Sequence, residues 1–156
     1  MRGIRSLPLL PILVLLAGAA CASRNREPDA LWQTVEVAGV PSDGYLWKMA
    51  LLSCQKLGFP LAAGLDPSSM EITTGWRTDL QPFRGEGTRT QVHLRMTALG
   101  RGHWRIAGRV KKQVNEDILR PLDPRYADWK WREDDAGVAR ILVHHIRAYL
   151  DSRIDS

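Results

Sequence analysis

The sequence predicts an α+β fold, a two-layer sandwich in which an antiparallel sheet of about four strands carries two helices on one face, in the order β-α-β-β-β-α. Residues 89–114 alternate between polar and apolar side chains, which is typical of a long, half-buried β-hairpin. Residues 44–57 and 134–153 instead repeat apolar side chains every three or four positions, which is typical of amphipathic helices. Turn-forming Gly, Pro and Asp residues separate these segments.

The chain begins with a segment that has the pattern of a secretory signal. Arg2 and Arg5 precede an apolar run from Leu7 to Leu16, and small residues then lead to Cys21. The apolar run is shorter than the ~20 residues that a spanning helix needs, so residues 1–20 are predicted to be a signal peptide rather than a membrane span.

The end of this signal, "LLAGAAC", resembles the bacterial lipobox, although Gly18 stands where Leu is usual. The resemblance implies that Cys21 is acylated and becomes the N-terminus of a lipoprotein. Since Ala22 and Ser23 follow in place of Asp, it also implies an outer-membrane anchor that faces the periplasm. The alternative is ordinary cleavage at an A-x-A site, which would give a soluble periplasmic or secreted protein.

Charge and organisation limit the function classes. The full chain has a net charge of +5; residues 1–20 hold two basic and no acidic side chains, so the remainder has 20 basic against 17 acidic residues, a net charge of +3. This mild excess, together with export, argues against a nucleic-acid partner. Residues 21–30 are predicted to be a polar, lipid-anchored tether that reaches at most ~30 Å, and residues 31–156 a single domain.

The first half of the domain is predicted to hold a strand, a helix and a second strand. Residues 31–39 alternate as a strand, and Ser42 or Asp43 caps a helix that Gly58 ends. Cys54 lies on the apolar stripe of this helix, which predicts a buried core cysteine rather than a reactive thiolate. Residues 70–80 form the next strand, with Trp76 expected on the same face as the core residues.

The register of the hairpin follows from its alternation. Both strands place their apolar residues at even positions, so paired positions must sum to an even number. A three-residue loop over 100–102 meets this condition; it sets Met96 opposite Ile106 and Ala98 opposite Trp104, and it pairs Leu99 with His103.

The other face of this hairpin then collects basic side chains and no acid. These candidate binding residues are Arg89, His93, Arg95, Arg105, Arg109 and Lys111. Three interpretations stay open: neighbouring strands supply Glu36, Glu71 or Asp79 to neutralise the face; the face is simply solvated; or it contacts an anionic partner such as a glycolipid.

The segment 115–135 is long for a connection and rich in aromatic residues. Tyr126, Trp129 and Trp131 are candidates for an interface anchor, or they cover the open edge of the sheet. The closing helix, 134–153, is predicted to bury a stripe of five side chains: Ala139, Leu142, Val143, Ile146 and Leu150.

No pattern in the sequence indicates catalysis. The chain lacks HExxH, GxSxG and CxxC motifs and a Gly-rich phosphate loop, and its four histidines lack the spacing of metal ligands. We therefore predict no catalytic residues, no metal and no cofactor, with an envelope enzyme as a distant alternative.

Part of the chain resembles envelope assembly lipoproteins of the BamC and LptE type. One shared element is the signal that ends at Cys21. The others lie within residues 31–99: a helix ending in "KLGF" at residues 56–59, Asp66 in a turn, and a strand with Thr74 and Trp76. This resemblance implies a non-catalytic binding or scaffold module, an accessory to outer-membrane assembly, with an envelope protein complex as its partner. The alternative is a binder of an anionic glycolipid or cell-wall polymer.

Overall fold

A computed structural model of the chain describes residues 25–62 and 65–152. It contains six strands and two helices. The strands are β1 (Gln33–Val37), β2 (Glu71–Thr73), β3 (Arg77–Gln81), β4 (Glu86–Gly100), β5 (His103–Asn115) and β6 (Trp129–Arg132), and the helices are α1 (Asp43–Lys56) and α2 (Ala136–Asp151). The predicted α+β class is confirmed. Cys21 and the predicted signal peptide lie outside the described residues.

The long β4–β5 hairpin forms the centre of an antiparallel sheet. Both β1 and β6 pair with β5, one after the other along its outer edge, and β2 and β3 do the same along the outer edge of β4. The sheet is therefore four strands wide, as predicted, although it is built from six strands because each of its outer edges is divided between two short strands.

The predicted register of the hairpin is confirmed, whereas its predicted loop is wrong. Met96 pairs with Ile106 and Ala98 with Trp104. The pairing then shifts by one residue so that Gly100 is opposite His103, which leaves Leu99 in a β-bulge. A two-residue turn follows, and its second residue is Gly102 with φ of 65°, a conformation that favours glycine.

Both helices pack on the even-numbered side of the hairpin and enclose one hydrophobic core. Ser42 caps α1 by accepting a hydrogen bond from the Tyr45 N–H, and Asp135 caps α2 in the same way from Val138. All five side chains of the predicted α2 stripe are buried. Cys54 is also buried, as predicted, and its burial raises the pKa of the thiol to about 12.

The segment predicted as one strand over 70–80 is instead two strands with a slip between them. Ile72 pairs with Leu94, whereas Arg77 pairs with Thr90, so the register changes by one residue. A one-residue slip exchanges the two faces of a strand. Trp76 consequently leaves the core side where it was expected, and Arg77 takes the core side, where its guanidinium lies 4.3 Å from the Phe59 ring centroid.

Candidate functional site

The side of the sheet opposite the helices, called the open face here, carries every predicted basic side chain. It consists of the odd-numbered side chains of β4 and β5, which include Arg89, His93, Arg95, Arg105, Arg109 and Lys111. Because β1, β2, β3 and β6 flank this hairpin, their side chains decide whether the charge on this face is free or compensated.

Two acids from the outer strands lie directly opposite arginines of the hairpin. Glu71 in β2 pairs with Arg95 in β4, and their side chains are 3.1 Å apart. Glu36 in β1 pairs with Arg105 in β5 at 2.9 Å. Both pairs are about half exposed, so each contributes little to stability. Their effect is to remove net positive charge from the face.

Arg109 makes a different kind of pair. Its side chain is only 8% exposed, and its Nε and Nη2 donate to the two carboxylate oxygens of Asp134 at 2.8 and 2.9 Å. Asp134 is 1% exposed and also accepts a hydrogen bond from the Leu31 N–H. The pKa of Arg109 is raised, chiefly by its hydrogen bonds to Asp134. This buried ion pair fixes the start of α2 to β5 and to the residues before β1.

Glu27 adds a second carboxylate on the open face. It lies 2.9 Å from Arg109 and 3.2 Å from Lys111. Residues 21–30 were predicted to be a lipid-anchored tether, and the structure places this acid of the segment against the sheet. Four carboxylates, from Glu27, Glu36, Glu71 and Asp134, therefore face the basic set, whereas Asp79 accepts a hydrogen bond from Gln81 instead.

His93 lies within this compensated region. Its Nε2 is 3.4 Å from Glu71, and its ring makes an edge contact with the Trp32 ring at 5.3 Å between centroids. Burial is the largest effect on this histidine and lowers its pKa, although the hydrogen bond to Glu71 opposes the change. Trp32 also lies 4.8 Å from the Arg95 guanidinium, so one ring contacts both of the side chains that lie against Glu71.

Arg89 differs from the other members of the set. Within the described residues, no carboxylate lies within ion-pair distance of it. Its Nε donates to Gln113 Oε1 at 2.7 Å, and its guanidinium lies 4.6 Å from the Trp76 ring centroid and 4.5 Å from that of Trp129. Burial lowers the pKa of Arg89. Aromatic faces attract a guanidinium, and here they take the place of a counter-ion.

The tryptophans of segment 115–135 belong to this cluster. Trp131 pairs with Gln113 across β6 and β5, and its ring lies 5.9 Å from that of Trp76. Strand β6 thus carries Trp129 and Trp131 along the outer edge of β5. Tyr126 does not join them; it is exposed and lies 3.8 Å from the guanidinium of Arg120.

Four further side chains belong to this face and were not predicted from the sequence: Trp32, Trp76, Glu27 and Asp134. In the alternation of residues 31–39, Trp32 falls on the side opposite Val35 and Val37, so its place on the open face could have been predicted. Trp76 was hidden by the register slip. Asp134 lies 25 residues from Arg109 along the chain, and no local spacing indicates a pair over that separation.

No group of three or more His, Cys, Asp or Glu side chains able to hold a metal ion occurs in the described part of the chain. Over the same ranges, neither helix is long and apolar enough to cross a membrane. No known family model matches the chain, and no curated protein is significantly similar to it.

Proposed function

We propose that this chain is a lipid-anchored cell-envelope protein that acts as a non-catalytic binding or scaffold module, an accessory to outer-membrane assembly. The anchor is Cys21 at the end of "LLAGAAC". The observation that supports this proposal is that Asn25, only four positions after Cys21, is already bound to the sheet. Asn25 donates from its side-chain amide to the Trp129 carbonyl at 2.8 Å and accepts from the Trp131 N–H at 2.9 Å.

The short separation between Cys21 and Asn25 in the sequence supports a position close to the bilayer. Four residue steps from Cys21 to Asn25 span at most ~14 Å when fully extended. This limit is about half the reach expected for a free tether over 21–30. A domain on so short a connection works at the membrane surface and not at a distance across the envelope.

Metabolic labelling tests the anchor. Cells that express the full chain and receive labelled palmitate should yield a labelled, membrane-bound protein, and the Cys21→Ser variant should yield none. Unlabelled protein in the soluble fraction would contradict the anchor and favour ordinary signal cleavage.

The scaffold role has its own test. Chemical crosslinking in intact cells, followed by gentle extraction and pull-down, should recover a β-barrel or another envelope component with the wild-type chain. Recovery of the free lipoprotein alone, with labelling intact, would contradict this role and leave the anchor standing.

A second candidate function is binding of an anionic glycolipid or cell-wall polymer at the open face. The ion pairs described above compensate most of the charge that suggested it. Arg89 is the position that favours this candidate, because no carboxylate of the described residues pairs with it. Binding should be weakened by salt and by Arg89→Gln, and much less by Arg105→Gln, whose arginine is already paired with Glu36. Equal loss in both variants, or salt-independent binding, would count against this candidate.

A further inference from the structure

Three large apolar side chains lie exposed at one end of the sheet. Phe83, in the short turn between β3 and β4, is fully exposed, and Ile118 and Leu119, in the loop between β5 and β6, are 92% and 88% exposed. We call these three residues the apolar tip. Single exposed apolar side chains are common on proteins, whereas a group of them marks an interaction site.

The two loops that carry the tip lie side by side. Gly85 and Ile118 line the same shallow cavity of about 480 Å³. A Cβ atom at Gly87 would lie 2.7 Å from the Pro121 carbonyl oxygen, which shows how closely the loop approaches the start of β4. The two loops that carry the three side chains are therefore adjacent at this end of the sheet.

Hydrogen bonds hold the loop of Ile118 and Leu119 in its outward arrangement. The Asp117 carboxylate accepts from the N–H groups of Leu119 and Arg120 at 2.9 and 2.8 Å. The Asn115 side-chain amide donates to the Pro121 carbonyl at 2.9 Å. The loop is thus a built turn that presents apolar side chains to the outside.

The tip lies at the same end of the domain as the N-terminal segment. Asn25 binds the backbone of Trp129 and Trp131, and Trp129 pairs with Asn115, the last residue of β5 before the loop. Cys21 is therefore at most ~14 Å of extended chain from a residue beside the tip.

The charge around the tip is close to balanced. Residues 82–86 and 116–126 hold three basic side chains and four acidic ones, which are Arg84, Arg120, Arg125, Glu86, Glu116, Asp117 and Asp123. A surface of this kind is not selected by anionic head groups. It gains free energy by removing apolar side chains from water.

We propose that the apolar tip inserts into the boundary between head groups and acyl chains of the bilayer that holds the Cys21 lipid. This inference rests on the proposed anchor, which brings the tip to the membrane. A protein partner is the less favoured occupant, because three side chains are far fewer than the 20–30 residues a side of a stable protein interface.

The test places an environment-sensitive fluorophore at the tip of the full chain in phosphatidylcholine vesicles. The labelled variants are Phe83→Cys and Leu119→Cys, and the matched control is Arg101→Cys, in the exposed turn at the opposite end of the hairpin. Neither natural cysteine competes for the label, because Cys54 is buried and an acylated Cys21 has no free thiol. The expected result is a blue-shifted emission, quenched by brominated acyl chains, for both tip probes and a water-like emission for the control.

A second preparation separates this inference from the proposed anchor. The chain from residue 22 onward, held by an N-terminal histidine tag on nickel-chelating lipid, should give the same burial of the tip probes. Suppose that the tip probes are buried in this preparation but metabolic labelling shows that the natural chain is not acylated. That pair of results would refute the Cys21 anchor and support the insertion of the tip. Tip probes with a water-like emission in both preparations would overturn the inference. Tip probes that are shielded from water in native membranes but not on vesicles would also overturn it, because that result indicates a protein partner.

Partitioning supplies a measurement that does not depend on an anchor or a label. Replacement of all three tip residues by Ser should reduce vesicle binding of the untagged chain from residue 22 about tenfold or more. Binding should be nearly the same on vesicles with and without anionic phosphatidylglycerol. An unchanged partition coefficient, or binding only to the anionic vesicles, would overturn the inference.

Discussion

The buried pair of Arg109 and Asp134 gives the sharpest stability prediction. Replacement of Asp134 by Ala removes the acceptor for three hydrogen bonds, two from the guanidinium and one from the Leu31 N–H. Removing one partner of a buried ion pair costs about 3–5 kcal/mol. Glu27 remains 2.9 Å from Arg109 and keeps part of the compensation, so we expect a loss of about 3 kcal/mol in the free energy of unfolding.

Urea unfolding of the chain from residue 22 onward measures this loss. With a slope of about 2 kcal/mol per molar urea, a loss of about 3 kcal/mol lowers the midpoint by about 1.5 M. The conservative variant Asp134→Asn retains one acceptor oxygen and should lose less, about 2 kcal/mol.

The exposed pair of Arg105 and Glu36 provides a matched control. Its distance of 2.9 Å is nearly the same, yet its side chains are 51% and 48% exposed. Glu36→Ala should therefore change the free energy of unfolding by less than about 1 kcal/mol. Equal losses for Asp134→Ala and Glu36→Ala would refute the claim that burial, and not the contact distance, makes the first pair important.

Three further predictions concern other parts of the fold. The pKa of the Cys54 thiol is raised to about 12. In a Cys21→Ser chain, this thiol should react with a disulfide reagent at pH 8 only after the protein is unfolded in urea. Fast reaction of the folded protein would contradict its burial. The pKa of His93 is lowered in the folded state, so the unfolded state takes up this proton first as the pH falls. The free energy of unfolding should therefore decrease below about pH 6.5. Urea midpoints of the His93→Gln variant should show less of this decrease. Gly108→Ala places a Cβ 3.0 Å from side chains of both β4 and α2 and should lower the free energy of unfolding by about 1–3 kcal/mol. The control Gly44→Ala, whose Cβ meets nothing within 4 Å, should not lower it. Similar urea midpoints for the two variants would refute the close packing of α2 on the sheet.

The hairpin and the closing helix could be predicted because their patterns are long and regular. The even-position alternation of β4 and β5 leaves one register that buries both apolar sets, and pairs such as Met96 with Ile106 followed from it. The α2 stripe follows from a repeat over four turns. In both cases the periodicity alone decides which side chains meet the core.

The slip between β2 and β3 could not be predicted, because alternation within 70–80 fits an unbroken strand equally well. Its cause is tertiary: the Gly75 N–H donates to the Pro60 carbonyl at 2.8 Å, a contact with the loop after α1. Strand β6 was missed because four residues within a charged, Pro-containing segment carry too weak a period. The counter-ions of the open face were only partly foreseen: Glu36 and Glu71 were considered, while Asp134 and Glu27 come from segments far away in the chain.

The side-chain amide of Asn25 has a consequence for self-association. Strand β6 has one row of backbone groups directed away from β5, and such a row is a template on which the strand of another molecule can add. Asn25 already hydrogen-bonds the Trp129 carbonyl and the Trp131 N–H of that row. These two groups are therefore not available to a strand of another molecule. The occupied backbone groups therefore disfavour edge-to-edge pairing of two copies of the chain at β6.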